Sequence, residues 1–182
     1  MVLANGNLWS AVSTHAGEDE LILQAHQQVC KLVPDTPPHL VLVPRHVHRA
    51  KSIVQIASIR MQGQCDIASG GIEEMERFFA GVTEKGVSKI FILDQMGVLP
   101  SVYTSSRAVF IGNSLVHPGG GHNFIEALYH VSPTTNLPRV ILGPYSQNFE
   151  GPLEAFLKYS HSDCGVLVQV HTVDELASNV VD

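Results

Sequence analysis

The residues best equipped for chemistry lie in one stretch, Gly112-Asn113-Ser114-Leu115-Val116-His117-Pro118-Gly119-Gly120-Gly121-His122-Asn123-Phe124-Ile125-Glu126. A strand-like run, Arg107 to Gly112, feeds three consecutive glycines, then His122 and Asn123, and a helical pattern follows. Glycines let a backbone approach a ligand closely, and a helix start offers unpaired N–H groups to an anion. Gly120, Gly121, His122 and Asn123 are therefore candidates to hold an anion. Glu126, one turn in, is placed to accept hydrogen bonds from sugar hydroxyls. Such a combination suits a nucleotide-sugar. Asn123 followed three residues later by Glu126 is also an ordinary capping box. The cap explains that pair without a ligand, but it leaves Gly119-Gly120-Gly121 unexplained.

Other reactive side chains are scattered. Ten histidines invite a metal, yet the chain has neither an H-E-x-x-H helix nor Cys/His finger spacing, so no metal site is expected. His46 and His48, two apart, would point in different directions on a helix. Cys30, Cys65 and Cys164 are an odd, widely spaced set that reads as reduced thiols. A net charge of −6 argues against a nucleic-acid surface, which needs clustered Lys and Arg. No apolar run reaches the roughly 18 residues of a membrane span, and no secretory leader opens the chain. No cofactor is implied. The 182 residues, 45% apolar and 15% charged, suffice for one globular domain over 1–182.

Strand and helix signals alternate along the chain and position these residues. Strands are expected at Leu8–Ser13, His39–Val43, Gln64–Ala68, Lys89–Leu93, Arg107–Gly112, Pro138–Leu142 and Gly165–Val170. Helices are expected at Glu18–Leu32, Arg45–Ile59, Gly97–Ser105, Asn123–Tyr129, Asn148–Tyr159 and Val173–Val180. Glu73–Gly81 reads as a helical turn or a loop. The βαβα order predicts a parallel sheet covered by helices on both faces, with ligands outside the carboxyl ends of the strands. Five polar segments fall at those ends: Ser13-Thr14-His15, Pro44-Arg45-His46, Asp94-Gln95-Met96-Gly97, Gly112 to Glu126, and Gly143-Pro144.

Those segments, with Ala16-Gly17-Glu18, Leu42-Val43 and Asn148-Phe149, resemble in order and spacing the carboxyl-terminal half of 3-deoxy-D-manno-octulosonic acid (Kdo) transferase. The likeness runs from about Trp9 to the end. It departs from the family at Val98-Leu99, where Glu-Leu is usual, in the His117-Pro118-Gly119 link, and at Tyr129 to Leu137, which looks like an insertion. The resemblance implies one Rossmann-like half of a GT-B glycosyltransferase, the half that binds the donor CMP-Kdo.

In that reading Arg45 pairs with the donor phosphate or stacks near the base, using its planar fork; otherwise it is a surface ion pair at a helix start. Gly120, Gly121, His122 and Asn123 meet the phosphate oxygens, and Glu126 holds the ribose. Met96 and Gly97 pack against cytosine or ribose, although Met96 also suits core filling. Ser13 and Thr14 offer hydroxyls to the donor, Asp94 holds loop amides, and Glu18 complements the helix dipole. The lipid A precursor acceptor and the general base are expected in an amino-terminal half missing from this chain, so the chain binds donor without transferring it. The likeness implies the cytoplasmic face of the inner membrane in a bacterium, or an organelle such as the mitochondrion in a plant, with no basic membrane anchor of its own. Alternatives are a non-catalytic nucleotide-binding isoform, a UDP-sugar-dependent relative, and a plain folded fragment.

Overall fold

The computed structural model describes residues 7–81, 85–130, 139–159 and 166–181. Seven strands, β1 (Leu8–Thr14), β2 (His39–Pro44), β3 (Cys65–Gly70), β4 (Ser88–Leu93), β5 (Ala108–Ile111), β6 (Arg139–Leu142) and β7 (Leu167–Gln169), form one sheet. Every pair is parallel, in the order β3-β4-β2-β1-β5-β6-β7. Among the described residues six α-helices lie between successive strands, α1 (Glu18–Leu32), α2 (Ala50–Met61), α3 (Ile72–Ala80), α4 (Leu99–Ser105), α5 (Phe124–His130) and α6 (Glu150–Tyr159), and α7 (Val173–Val181) follows the last strand.

The near-continuous apolar strands are explained by burial on both faces. Alternate side chains go to opposite layers. Trp9, Ala11, Leu40, Leu42 and Phe110 meet α1, α2 and α7 through Ile22, Val29, Ile53 and Leu176. Leu8, Val12, Val41, Val43 and Ile111 face the other way, against Met75, Tyr103, Phe124 and Leu153 of α3 to α6. The expected Rossmann-like α/β sheet is therefore the observed one. The chain runs from β1 to β2 on one side and later returns to β5 on the other. The carboxyl ends of β1 and β5 flank the topological switch point, the place at which such sheets bind ligands in a crevice.

Several boundaries differ from expectation. The segment after β2 opens as a 3₁₀ turn, Val47–Arg49, and α2 begins only at Ala50. The 73–81 segment is a full helix, α3. Its first N–H groups are held by side chains: Glu74 accepts from Gly71 N–H at 3.1 Å, and Gln95 from Ile72 N–H at 2.8 Å. Met75 and Phe79, one turn apart, bury its inner face. Gly97 has φ 79, in the left-handed region, so α4 starts two residues later than Gly97. Pro138 and Gly165, the expected strand starts, lie outside the described residues, as do residues 131–137 and Cys164. Among the described residues no helix is long and apolar enough to cross a membrane.

Candidate functional site

The loops that leave β1, β2 and β5 are braced by buried charge. Glu18, 1% exposed at the start of α1, accepts four backbone hydrogen bonds. Oε2 takes the N–H of His15 (2.8 Å) and Asn113 (2.7 Å), and Oε1 takes those of Ser114 and Leu115 (both 2.9 Å). One carboxylate thus clips the β5 loop to the β1 loop across the switch point. The apposition is so close that a Cβ on Gly112 would lie 2.5 Å from Ser13 O. Beside it, buried Asp19 accepts from the Thr14 hydroxyl (2.8 Å) and pairs with Arg49, whose other nitrogen donates to Thr14 O at 3.0 Å. Burial pushes the Asp19 carboxyl up, while Thr14 and Arg49 pull it back toward the charged form.

On this brace rests a row of imidazoles. His15 Nε2 lies 2.9 Å from His122 Nε2, so one ring donates an N–H and the other accepts it. His46 packs edge-on to His15 at 5.9 Å between centroids, and His48 stacks on His46 at 5.7 Å. The 3₁₀ turn brings His46 and His48 together, where a regular helix would have parted them. Burial holds the pKa of His15 below the usual histidine value, opposed by Glu18 and reinforced by His46, Arg49 and Arg45. Burial does the same to His122, helped by His15 and Arg45. The pair therefore favours the neutral form, with Arg45, Arg49 and His46 repelling further positive charge and Glu18 partly offsetting them. An incoming anion would relieve that repulsion.

The expected site residues divide. Arg45 is exposed at the end of β2, its backbone N–H tied to Thr14 O at 3.0 Å, and its guanidinium has no ion pair among the described residues. The surface-pair alternative therefore does not describe it. Ser13, half-buried with φ 56, has a hydroxyl without a partner among the described residues. Met96 is 64% exposed, which removes core filling as its role, and Gly97 beside it is open to solvent. Asn123 caps α5, accepting from Ile125 N–H at 3.1 Å. Glu126 is exposed, close enough that its charge joins burial in pushing the Tyr103 phenol up.

Three expectations need correction. Thr14 is fully buried and its hydroxyl is spent on Asp19, so it is not presented to a ligand. The amides of Gly120 and Gly121 donate to Tyr145 O (3.0 Å) and Asn113 O (2.6 Å), so neither N–H is free for phosphate in this conformation. The glycines are required by protein: a Cβ on Gly120 would lie 2.4 Å from the Asn148 side chain. Asp94 holds no loop amide among the described residues; its neighbour Gln95 does.

Sequence reasoning treated Glu18 as a dipole partner and left His15 and His46 without roles. The signal was present in Ser13-Thr14-His15-Ala16-Gly17-Glu18, where polar groups crowd one strand end. It also missed His26, Cys30 and Cys65, whose donor atoms lie within 4.8 Å of one another although their sequence spacing is wide. A hollow of about 250 Å³ at the ends of β6 and β7 is lined by Glu150 and Glu154 with no cationic group, the wrong charge for a phosphate.

No protein-family model matches the chain. It is 31% identical over 146 residues to a bifunctional glycosyltransferase/methyltransferase of Fusobacterium nucleatum, a match covering 80% of this chain and 19% of that protein. It is 32% identical over 145 residues to 3-deoxy-D-manno-octulosonic acid transferase of Haemophilus influenzae, covering 78% of this chain and 29% of the relative. The chain therefore spans less than a third of either relative. The carboxyl-terminal CMP-Kdo binding domain of WaaA from Acinetobacter baumannii shares the fold, with a TM-score of 0.72 and 22% identity over 98% of this chain and 80% of that one. Over about four fifths of its length this chain is thus similar in sequence to Kdo transferases, and it has the Rossmann-like fold of the solved CMP-Kdo binding domain.

Proposed function

We propose that this chain is the donor-binding half of a Kdo transferase and holds CMP-Kdo at the β1–β5 crevice. One observation carries the reading: an unpaired arginine, Arg45, and the neutral His15–His122 pair converge at the switch point of the sheet. The Arg45 fork takes phosphate oxygens, and His122 donates to the same group. Ser13 contributes its hydroxyl. Glu126 holds the ribose, and the exposed Met96 with Gly97 supplies a surface for the base. The glycine loop shapes the crevice and does not itself bind phosphate.

Transfer of Kdo to a lipid A precursor also needs a base to deprotonate the acceptor hydroxyl. Glu18 and Asp19, the carboxylates at the histidine row, are buried and committed to the brace. The base must then come from an acceptor-binding half, and the 182 residues bind donor without turnover.

Calorimetric titration of the chain with CMP, against UDP, tests the proposal. Saturable CMP binding that Arg45→Ala weakens is expected, with UDP weaker. Equal or tighter UDP binding, or none of either by a folded chain, would refute it. Kdo transfer by the isolated chain would overturn the assignment of the base.

A further inference from the structure

At the opposite end of the sheet from the crevice, a second polar cluster lies buried under α1. His26 is wholly buried. Its Nδ1 accepts from the Trp9 indole N–H at 3.0 Å. An indole nitrogen only donates, so Nδ1 carries no proton and the neutral ring bears it on Nε2. The Ser88 hydroxyl donates to Pro38 O at 2.8 Å, leaving its oxygen to accept from His26 Nε2–H at 3.0 Å. The same Nε2 lies 3.9 Å from Cys30 Sγ, and Cys65 Sγ completes the group. A metal bound through Nε2 would have to strip the ring of both protons or break the Trp9 contact. The three donors are therefore poorly arranged for an ion, while the two sulfurs lie within 4.8 Å of each other.

We propose that Cys30 and Cys65 are a reversible dithiol–disulfide site, with Cys30 as the peroxide-reactive sulfur and Cys65 as its resolving partner. Both are free thiols. Cys30 is half-buried on α1, and Cys65 opens β3, the edge strand of the sheet. The neighbouring Cys65 thiol and the His26 ring hold the Cys30 pKa below the usual thiol value against the effect of burial, and the Cys30 sulfur with burial pushes that of Cys65 up. The oxidant is hydrogen peroxide. Cys30 thiolate attacks one peroxide oxygen, the O–O bond breaks, and the departing hydroxide takes the Cys65 proton to form water. Cys65 thiolate then attacks the Cys30 sulfenic sulfur, the S–S bond forms, and hydroxide leaves to be protonated by solvent. One peroxide is reduced to two waters for each disulfide.

The test is mass spectrometry of the full chain after titration with hydrogen peroxide, in wild type and on a Cys164→Ser background. The expected result is loss of two hydrogens, a Cys30–Cys65 cross-linked peptide, and full reversal by dithiothreitol. Before oxidation, Cys30 should alkylate about tenfold faster than Cys65 at pH 7. In Cys65→Ser, Cys30 should accumulate as a dimedone-trapped sulfenic acid. A cross-link to Cys164 only, over-oxidation without a disulfide, or stoichiometric zinc that blocks both thiols would each overturn the proposal. The wild-type peptide map decides the matter even where a variant folds poorly.

Discussion

Two sets of polar side chains share the carboxyl edge of the sheet and have opposite fates. Thr14, Glu18, Asp19 and Arg49 satisfy one another or the backbone and are largely withdrawn from solvent. Ser13 and Arg45, a few residues from them in the same segments, and Glu126 on α5 keep their side chains partly or fully open to solvent. The contrast shows that a motif rich in polar residues is part scaffold and part contact surface, and that burial separates the two. The sharpest way to break the comparison is Glu18→Ala. It strands four N–H groups, those of Ser114 and Leu115 in buried surroundings, a loss of about 3–5 kcal/mol of stability. Urea unfolding measures it; a change below about 1 kcal/mol would mean the brace does not hold the loops.

Arg45→Ala should behave in the reverse manner. Its guanidinium braces nothing among the described residues, so unfolding should move by no more than about 0.5 kcal/mol. CMP affinity should fall by about 1.5–3 kcal/mol, the worth of hydrogen bonds to a charged group, which is roughly 10- to 150-fold. A variant that loses stability and affinity together would place Arg45 in the scaffold and erase the distinction.

Much of the fold was legible because periodicity is local. The apolar runs His39–Val43 and Lys89–Leu93 have only one stable place, inside a sheet covered on both sides. The order of strands and helices then put the polar segments on one edge. What could not be read was which polar group meets which. Thr14 and Ser13 look equivalent in sequence, yet the left-handed turn at Ser13 exposes one hydroxyl while Asp19 consumes the other. Gly120 and Gly121 read as a ligand cradle because the groups they really meet, Tyr145 and Asn148 for Gly120 and Asn113 and Ser146 for Gly121, are not adjacent in sequence. His26, Cys30 and Cys65 were invisible for the same reason, joined only where side chains of α1 meet residues at the starts of β3 and β4.

Titration sharpens the comparison from a different side. His15 and His122 at the crevice, and His39 at the start of β2, all have pKa values held below 6.5 in the fold, His39 at about 4. Burial is the main cause for His39, followed by the charge of Lys89, whose backbone N–H also donates to His39 Nδ1 at 3.1 Å. Between the folded and unfolded values the unfolded chain binds more protons, so stability falls as pH drops below about 6.5. For His39 the decline continues toward about pH 4. In His39→Gln that share of the slope should vanish, as read from the difference between the two unfolding curves across this range. Parallel curves would show that His39 titrates as freely folded as unfolded.

Glu126 carries the smallest expected effect and the finest discrimination. Its carboxylate is exposed, one turn into a two-turn helix whose cap is already supplied by Asn123. Removing it should therefore leave stability within about 0.5 kcal/mol. If it holds the ribose, Glu126→Ala loses one or two charge-assisted hydrogen bonds made partly in water, about 0.5–1.5 kcal/mol of CMP affinity. The loss should be equal for CMP and UDP, which share the ribose, and should shrink with a 2′,3′-dideoxy nucleotide. A loss of the same size with the dideoxy ligand would detach Glu126 from the sugar and leave it as a solvated charge on the face of α5.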